Sequence, residues 1–172
     1  TVWAAEDGSV AAPTASLNMT DEIINRLIAK GVKIVYITLH VGLGTFLPIR
    51  TDLVEDHHMH QEHFDIPKET VGVIQSAKVS GKRVIALGTT VARTLEYASD
   101  LLKNGPADIS GEADIFIYPG YKFKTIDGLL TNYHAPKSTV LMLTAAFAGW
   151  DKLLPAYNHA IAEKYHFFSY GD

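Results

Sequence analysis

Arg83-Val84-Ile85-Ala86-Leu87-Gly88-Thr89-Thr90-Val91-Ala92-Arg93 decides the fold class. Residues 83–87 are a short apolar run closed by glycine, the pattern of a buried strand. Gly88-Thr89-Thr90 turns into a helix expected to reach about residue 102. Upstream, Pro67 suits the first position of a helix that runs to Ser80 and is closed by Gly81. Residues 56–66 have strand character. Residues 40–50 hold Gly42, Gly44 and Pro48 and read as a loop. Residues 32–39 are apolar on both faces, as in a central strand covered on both sides. Before them, Thr20 is an N-cap, Asp21 and Glu22 occupy the first turn, and Ile23, Ile24, Leu27 and Ile28 form a stripe that Gly31 ends. Residues 1–16 read as a loop after a short strand. Downstream, residues 104–111 are expected to be loop, 114–118 a strand, and 129–130 a very short strand. Ser138 should cap an apolar helix to residue 148, buried all round. A last helix is expected over 153–165, entered at Pro155.

Strands alternating with helices imply an α/β fold: a mostly parallel or mixed sheet flanked by helices, in a single domain over residues 1–172. Ligands of such sheets sit outside the carboxyl ends of the strands. The loops there are residues 40–50, 88–90, 119–127 and 131–137, and they are the chemically richest of the chain. Composition narrows the classes. The 172 residues are 47% hydrophobic and 20% charged with net charge −4, ordinary for a globular protein. Cys is absent, which excludes disulfides, zinc–thiolate sites, iron–sulfur clusters and thiol catalysis, and fits a reducing compartment such as the cytoplasm. No apolar run approaches the ~18 residues of a membrane span.

Each rich loop admits a chemical and a plain reading. Gly88, Thr89 and Thr90 offer free N–H groups, hydroxyls and a helix dipole, with Arg93 one turn on as a donor for carboxylate or phosphate; the plain reading is a capped turn. Neither the dinucleotide nor the P-loop spacing is present. His40, Gly42, Gly44 and Thr45 combine an imidazole with glycines that permit close backbone approach, or form a flexible loop. His57-His58-Met59-His60-Gln61-Glu62-His63 holds half of the eight histidines and suits a metal, acid–base work or a polar strand; strand geometry puts His58, His60 and Glu62 on one face. Tyr118, Gly120 and Tyr121, with Lys122 and Lys124, suit base stacking and phosphate binding, or packing with solvated lysines. Asn132, His134, Lys137, Ser138 and Thr139 bring amide, imidazole, ammonium and hydroxyls to a helix start, as a base and anion site or as a cap. Tyr157 and Tyr165 read as packing, His159 as surface, and Asp127 as a turn with Gly128.

Taken together the motifs carry a resemblance. In order they are residues 8–15 (Gly-Ser-Val-Ala-Ala-Pro-Thr-Ala), 40–46 (His-Val-Gly-Leu-Gly-Thr-Phe), Asp56-His57 with Met59-His60 and Glu62, and Gly88-Thr89-Thr90 with Arg93-Thr94-Leu95-Glu96. Then follow residues 114–121 (Asp-Ile-Phe-Ile-Tyr-Pro-Gly-Tyr), Thr131-Asn132-Tyr133-His134, Pro136-Lys137-Ser138-Thr139 and Phe167-Phe168-Ser169-Tyr170-Gly171-Asp172. The set resembles the S-adenosylmethionine:tRNA ribosyltransferase-isomerases of queuosine biosynthesis over essentially the whole chain.

The resemblance implies transfer of the ribosyl part of S-adenosylmethionine to the aminomethyl group of a 7-deazaguanine at the tRNA wobble position. Isomerisation to an epoxy-cyclopentanediol gives epoxyqueuosine, with release of adenine and methionine. It implies S-adenosylmethionine as co-substrate, no metal, and tRNA bound at its anticodon region. It also implies no membrane and a cytoplasmic enzyme, favoured as a monomer. Its pattern matches His57, His60 and Glu62, with His58 at a variable position. In this light His60, Glu62 and His134 are the base candidates for the methylene acidified by the sulfonium. Gly88, Thr89, Thr90 and Arg93, or Lys137, are candidates for the methionine carboxylate, and Asn132 or His134 for departing adenine. Lys122, Lys124 and Lys137 are candidates for the RNA backbone. His40, Gly42, Gly44, Thr45, His57, Tyr118, Gly120, Tyr121, Ser138 and Thr139 complete the expected substrate-binding set.

Three departures stand out. Ser16 and Asn18 replace a Gly and a His of the family pattern, and Leu47 precedes Pro48 where the family often has Arg. They motivate an alternative, a catalytically silent RNA-binding domain. A generic α/β nucleotide hydrolase follows from the Gly-Thr-Thr turn alone. Thr1 without a Met and the aromatic run before Asp172 read as cut ends. The chain is therefore expected to be the C-terminal portion of the main α/β domain, with an inserted β-barrel domain absent and one sheet edge or face left exposed.

Overall fold

A computed structural model of the chain describes residues 3, 7–9, 11–12, 14–42, 49–51 and 53–168. The elements run α1 (Asp21–Ala29), β1 (Thr38–His40), β2 (Glu62–Ile66), α2 (Lys68–Val79), β3 (Ile85–Leu87), α3 (Thr89–Tyr97), β4 (Ile109–Ala113), β5 (Gly128–Leu130), α4 (Thr139–Ala148) and α5 (Trp150–Ala162). Short 3-10 turns lie at Thr14–Ser16, Val54–Asp56 and Leu101–Lys103.

The α/β class is as read from the sequence, with more antiparallel pairing than the alternation suggests. Strands β1, β2 and β4 form an antiparallel sheet in the order β1-β2-β4, and β3 pairs with β5 in parallel. Strand β2 alternates with its pleat: Glu62, Phe64 and Ile66 face inward and His63 and Asp65 outward. Its inward residues meet Val71 and Ile74 of α2 and Leu95 of α3 in the core, where Phe64 is completely buried. Burying one such side chain stabilises by about 1.5–3 kcal/mol.

Caps follow the local chemistry. The Thr20 hydroxyl accepts the Ile23 N–H, and Lys30 leads into Gly31 at φ +81°. The Ser138 hydroxyl accepts the Leu141 N–H at the start of α4. Pro67 sits one position earlier than expected, as the cap of α2.

Other boundaries differ from the expectation. Only Thr38 and Leu39 of the 32–39 run enter a ladder, and Val32, Val35 and Tyr36 are exposed, so this is no doubly covered central strand. The fourth ladder strand is Ile109–Ala113, partly within the expected loop, whereas residues 114–118 pair in no ladder. Helix α3 ends at Tyr97, and the tighter turn Leu101–Lys103 follows. Helix α4 buries Thr139, Leu143 and Ala145 and leaves its other residues half-buried. Helix α5 starts at Trp150 after Gly149 (φ +84°), with Pro155 inside it, where the missing N–H gives up one bond. Asp127 makes more than a turn: its carboxylate takes the Val84 N–H at 2.8 Å and pairs with Lys78.

Exposed apolar residues gather on α1 (Ile23, Ile28) and beside the parallel pair (Ile85, Leu130, Val79). No helix among the described residues is long and apolar enough to cross a membrane.

Candidate functional site

The turn after β3 builds the site. Gly88 takes φ +101°, a conformation that favours glycine, and its N–H reaches the Leu130 carbonyl of β5 at 2.8 Å. The chain then starts α3 with Thr89 buried and Arg93 one turn on, 4% exposed. Arg93 Nη2 is paired with Glu62 Oε2 from the inward face of β2, and Glu62 is 3% exposed. Burial pushes the Arg93 guanidinium down to about 10, against the pull of the Asp114 charge, so it stays cationic at neutral pH.

An open cleft lies over these groups. Met59, Ile115, Phe116, Ile117, Val140 and Leu143 supply its apolar lining, and Thr89, Thr90, Arg93 and Thr139 its polar lining. The first turns of α3 and α4 therefore meet at one cleft, beside a buried cation. Both dipoles and the guanidinium favour negative charge there. Arg93 Nε and Nη1 and Thr139 Oγ1 are buried without a hydrogen-bond partner among the described residues. Such orphans are uncommon in native interiors and call for an explanation. Lys137, just before the α4 cap, is exposed with φ +56°, left-handed for a residue with a side chain. Its carbonyl accepts the Ile49 N–H at 2.9 Å.

The histidines divide between two places. His57 sets its ring edge against Phe116 at 5.0 Å, and Phe116 stands 5.3 Å from Tyr118. Burial, then the neighbouring His60 and His58, lowers the His57 pKa and favours the neutral imidazole. His60 is exposed. His40 is not brought to the cleft. It pairs across the ladder with His63 on the opposite face of β2 from Glu62, with ring centroids 5.7 Å apart. His63 there bonds Glu112 at 2.9 Å and Asp65 at 3.2 Å, and the Glu112 bond heads the causes that raise its pKa. Gly8, at φ +130°, lies so close that a Cβ would fall 2.7 Å from His40 Nδ1. The Ser9 hydroxyl accepts the Val41 N–H at 3.1 Å and so holds Ser9 against the end of β1.

The remaining candidates form a second cluster and a loop. His134 Nε2 lies 3.1 Å from the Thr131 hydroxyl, and the His134 N–H donates to the Tyr157 hydroxyl at 2.7 Å. Tyr133 packs on Tyr157 and Phe167. Asn132 is buried, and its Oδ1 accepts from the Thr14 hydroxyl at 3.4 Å. Tyr121 turns inward: its hydroxyl donates to Glu96 at 3.1 Å, and burial with the Glu96 charge pushes its pKa up to about 12. Gly120 is exposed at φ +105°, and Gly42 is half-buried. Gly44 and Thr45, with Leu47 and Pro48, lie outside the described residues.

Four contributors escaped the sequence reading. Glu96 is 2% exposed and accepts the N–H groups of Lys124, Thr125 and Ile126, which fixes the loop after Gly120. Tyr157 supports the His134 backbone as well as packing. Met59 and Phe116 line the cleft. Glu96 follows Arg93 by three residues and so shares its helix face, a spacing that could have flagged it. Among the described residues no three of His, Asp and Glu are placed to hold a metal ion.

Residues 1–172 match the family model described as Queuosine biosynthesis protein. The chain is 62% identical over 174 residues to a protein of Chlorobium phaeobacteroides named S-adenosylmethionine:tRNA ribosyltransferase-isomerase. That match covers 100% of this chain and 51% of the relative. A protein of the same name from Halothermothrix orenii is 55% identical over 172 residues, covering 100% and 50%. The crystal structure of S-adenosylmethionine tRNA ribosyltransferase from Thermotoga maritima is similar with a TM-score of 0.76 at 41% identity, over 92% of this chain and 50% of that one. The chain thus spans about half the length of the curated relatives it matches.

Proposed function

The chain belongs to the queuosine biosynthesis protein family, and from that membership we propose that it contributes the co-substrate site of an S-adenosylmethionine:tRNA ribosyltransferase-isomerase. The reaction joins the ribosyl carbon of S-adenosylmethionine to the aminomethyl nitrogen of a 7-deazaguanine in tRNA. Isomerisation of the sugar then gives epoxyqueuosine, with adenine and methionine leaving. The observation that supports this best is the cleft where buried Arg93 lies beside the first turns of α3 and α4. An apolar wall with a cationic end suits a molecule that carries a nucleoside at one end and an amino-acid carboxylate at the other.

The residues divide by chemistry. The sulfonium acidifies the adjacent ribose methylene, and a base must take that proton. His57 and His60 flank cleft-lining Met59, and His57 is held neutral, the state a base needs. Glu62 is engaged by Arg93 and serves the guanidinium rather than a proton. His134 and Asn132 remain candidates for the leaving adenine. Lys122, Lys124 and Lys137 are exposed and available to RNA phosphates.

The test is adenine release by the protein at its natural length, with S-adenosylmethionine and a tRNA bearing 7-aminomethyl-7-deazaguanine. Release that depends on that tRNA is expected. Release without tRNA, or none, would reject the reading.

A further inference from the structure

The cleft holds polar atoms that the fold itself leaves unused. Arg93 is 4% exposed and Thr139 5% exposed, and Nε and Nη1 of the first and Oγ1 of the second make no hydrogen bond among the described residues. Burying a donor without a partner costs stability, more so for a charged group. The fold had a simple remedy for each. Ser138, one residue earlier, uses its hydroxyl twice: it donates to the Ala135 carbonyl at 2.7 Å and accepts the Leu141 N–H at 3.2 Å. Thr139, with the same chemistry, does neither. Glu62 takes only Nη2 of Arg93.

We propose that Arg93 and Thr139 form a carboxylate subsite, completed by the amino-acid tail of the co-substrate. This rests on the functional reading above and adds to it which end of the molecule enters here. Three features select a carboxylate on a slender tail over a phosphate of an RNA chain. The donors are buried in the cleft lining, which suits a slender tail better than a bulky polymer backbone. The walls beside them are aliphatic and aromatic, suited to methylene groups. Glu62 already balances the guanidinium charge, so what Arg93 offers is its remaining N–H donors, a better match for one carboxylate than for a dense phosphate array. The first turns of α3 and α4 add their dipoles to the same point.

The experiment measures equilibrium binding of S-adenosylmethionine and of its decarboxylated analogue to the protein at its natural length. Wild type should prefer the carboxylate-bearing compound by about thirtyfold or more. Thr139→Val removes the hydroxyl at constant shape. It should weaken S-adenosylmethionine about tenfold and change the decarboxylated analogue by less than about twofold. Arg93→Lys should abolish the preference; because it disturbs a buried ion pair, its fold is checked by circular dichroism, and Thr139→Val decides if it fails to fold. Equal binding of both compounds by wild type, or unchanged preference in Thr139→Val, overturns the proposal. So does a selective loss of affinity for an anticodon stem-loop with a reduced salt slope, which would assign the donors to phosphate. tRNA-dependent adenine release alongside an unchanged preference rejects the subsite alone. No release by wild type rejects the functional reading beneath it.

Discussion

Removing the Glu96 carboxylate tests whether α3 holds the loop after Gly120. Glu96 is 2% exposed and accepts three consecutive backbone N–H groups, from Lys124 at 2.8 Å and from Thr125 and Ile126 at 2.9 Å each, besides the Tyr121 hydroxyl. In Glu96→Ala those three amides lose their acceptor. A donor left unsatisfied costs about 1–3 kcal/mol, so with some water entering the gap the loss should be about 4 kcal/mol. Glu96→Gln separates the two oxygens. Its carbonyl can stay at Oε1 and serve Thr125 and Ile126, while its amide faces the Lys124 N–H donor to donor. The Tyr121 hydroxyl can reverse and accept. One bad pairing remains, at about 2 kcal/mol. A protein of this size loses about 2–4 °C of Tm per kcal/mol, so melting should fall by about 8–16 °C for Ala and about half that for Gln. Hydrogen exchange at residues 124–126 should quicken in the same order. The reasoning fails if Glu96→Ala stays within about 1 kcal/mol of wild type, or if Gln is as damaging as Ala.

Three further outcomes are expected. His63 should titrate above 6.5 by NMR, because Glu112 and Asp65 bond it. A raised folded value gives stability that is present below the ordinary value and lost as pH rises through the folded one, and Glu112→Gln should shrink that slope; a midpoint at or below 6.5 contradicts the assignment. His57 should titrate below 6.5, since burial and its histidine neighbours oppose its charge, and Phe116→Ala should move it back up. If His57 is the base, the acid limb of kcat/KM will follow the same midpoint, and a limb indifferent to Phe116→Ala removes it from that role. Gly8→Ala should cost about 1–3 kcal/mol in chemical denaturation, because φ +130° is strained for alanine and its Cβ meets the His40 ring; a neutral substitution would mean that Gly8 is not seated against β1.

Much of the architecture was legible because it is local. The caps at Thr20 and Ser138, the glycine stops at Gly31 and Gly81, and the strand–turn–helix around Gly88 follow from a few neighbouring residues each. Errors came where partners are distant. Gly111 looked like loop, yet in β4 it makes room for Phe64, whose ring carbons would lie 3.2 Å from a Cβ there. The need for a glycine is set on another strand. Residues 32–39 have the composition of a covered strand, but composition does not say where the cover comes from, and Val32, Val35 and Tyr36 are exposed. The site divides in the same way. Thr89, Thr90, Arg93 and Thr139 were named from helix-start chemistry, and the structure brings them to one cleft. His40 was grouped with them by motif, but ladder register sends it to the other face of β2. Glu62 was one of three base candidates, and nothing in its neighbourhood announces its pairing with an arginine 31 positions later.

Helix α3 carries both anchors, Arg93 at the cleft and Glu96 in the loop that bears Lys122 and Lys124, one turn apart on the same short rod. Three amides clamped to one carboxylate leave that loop little freedom to swing by itself. The pocket for a small molecule and the basic rim available to a large one are thus geared to a common shaft. Evolution cannot readily retune the reach of one without moving the other, and insertions in the mostly exposed loop at residues 104–107 should be far better tolerated than any change in the spacing from Arg93 to Glu96.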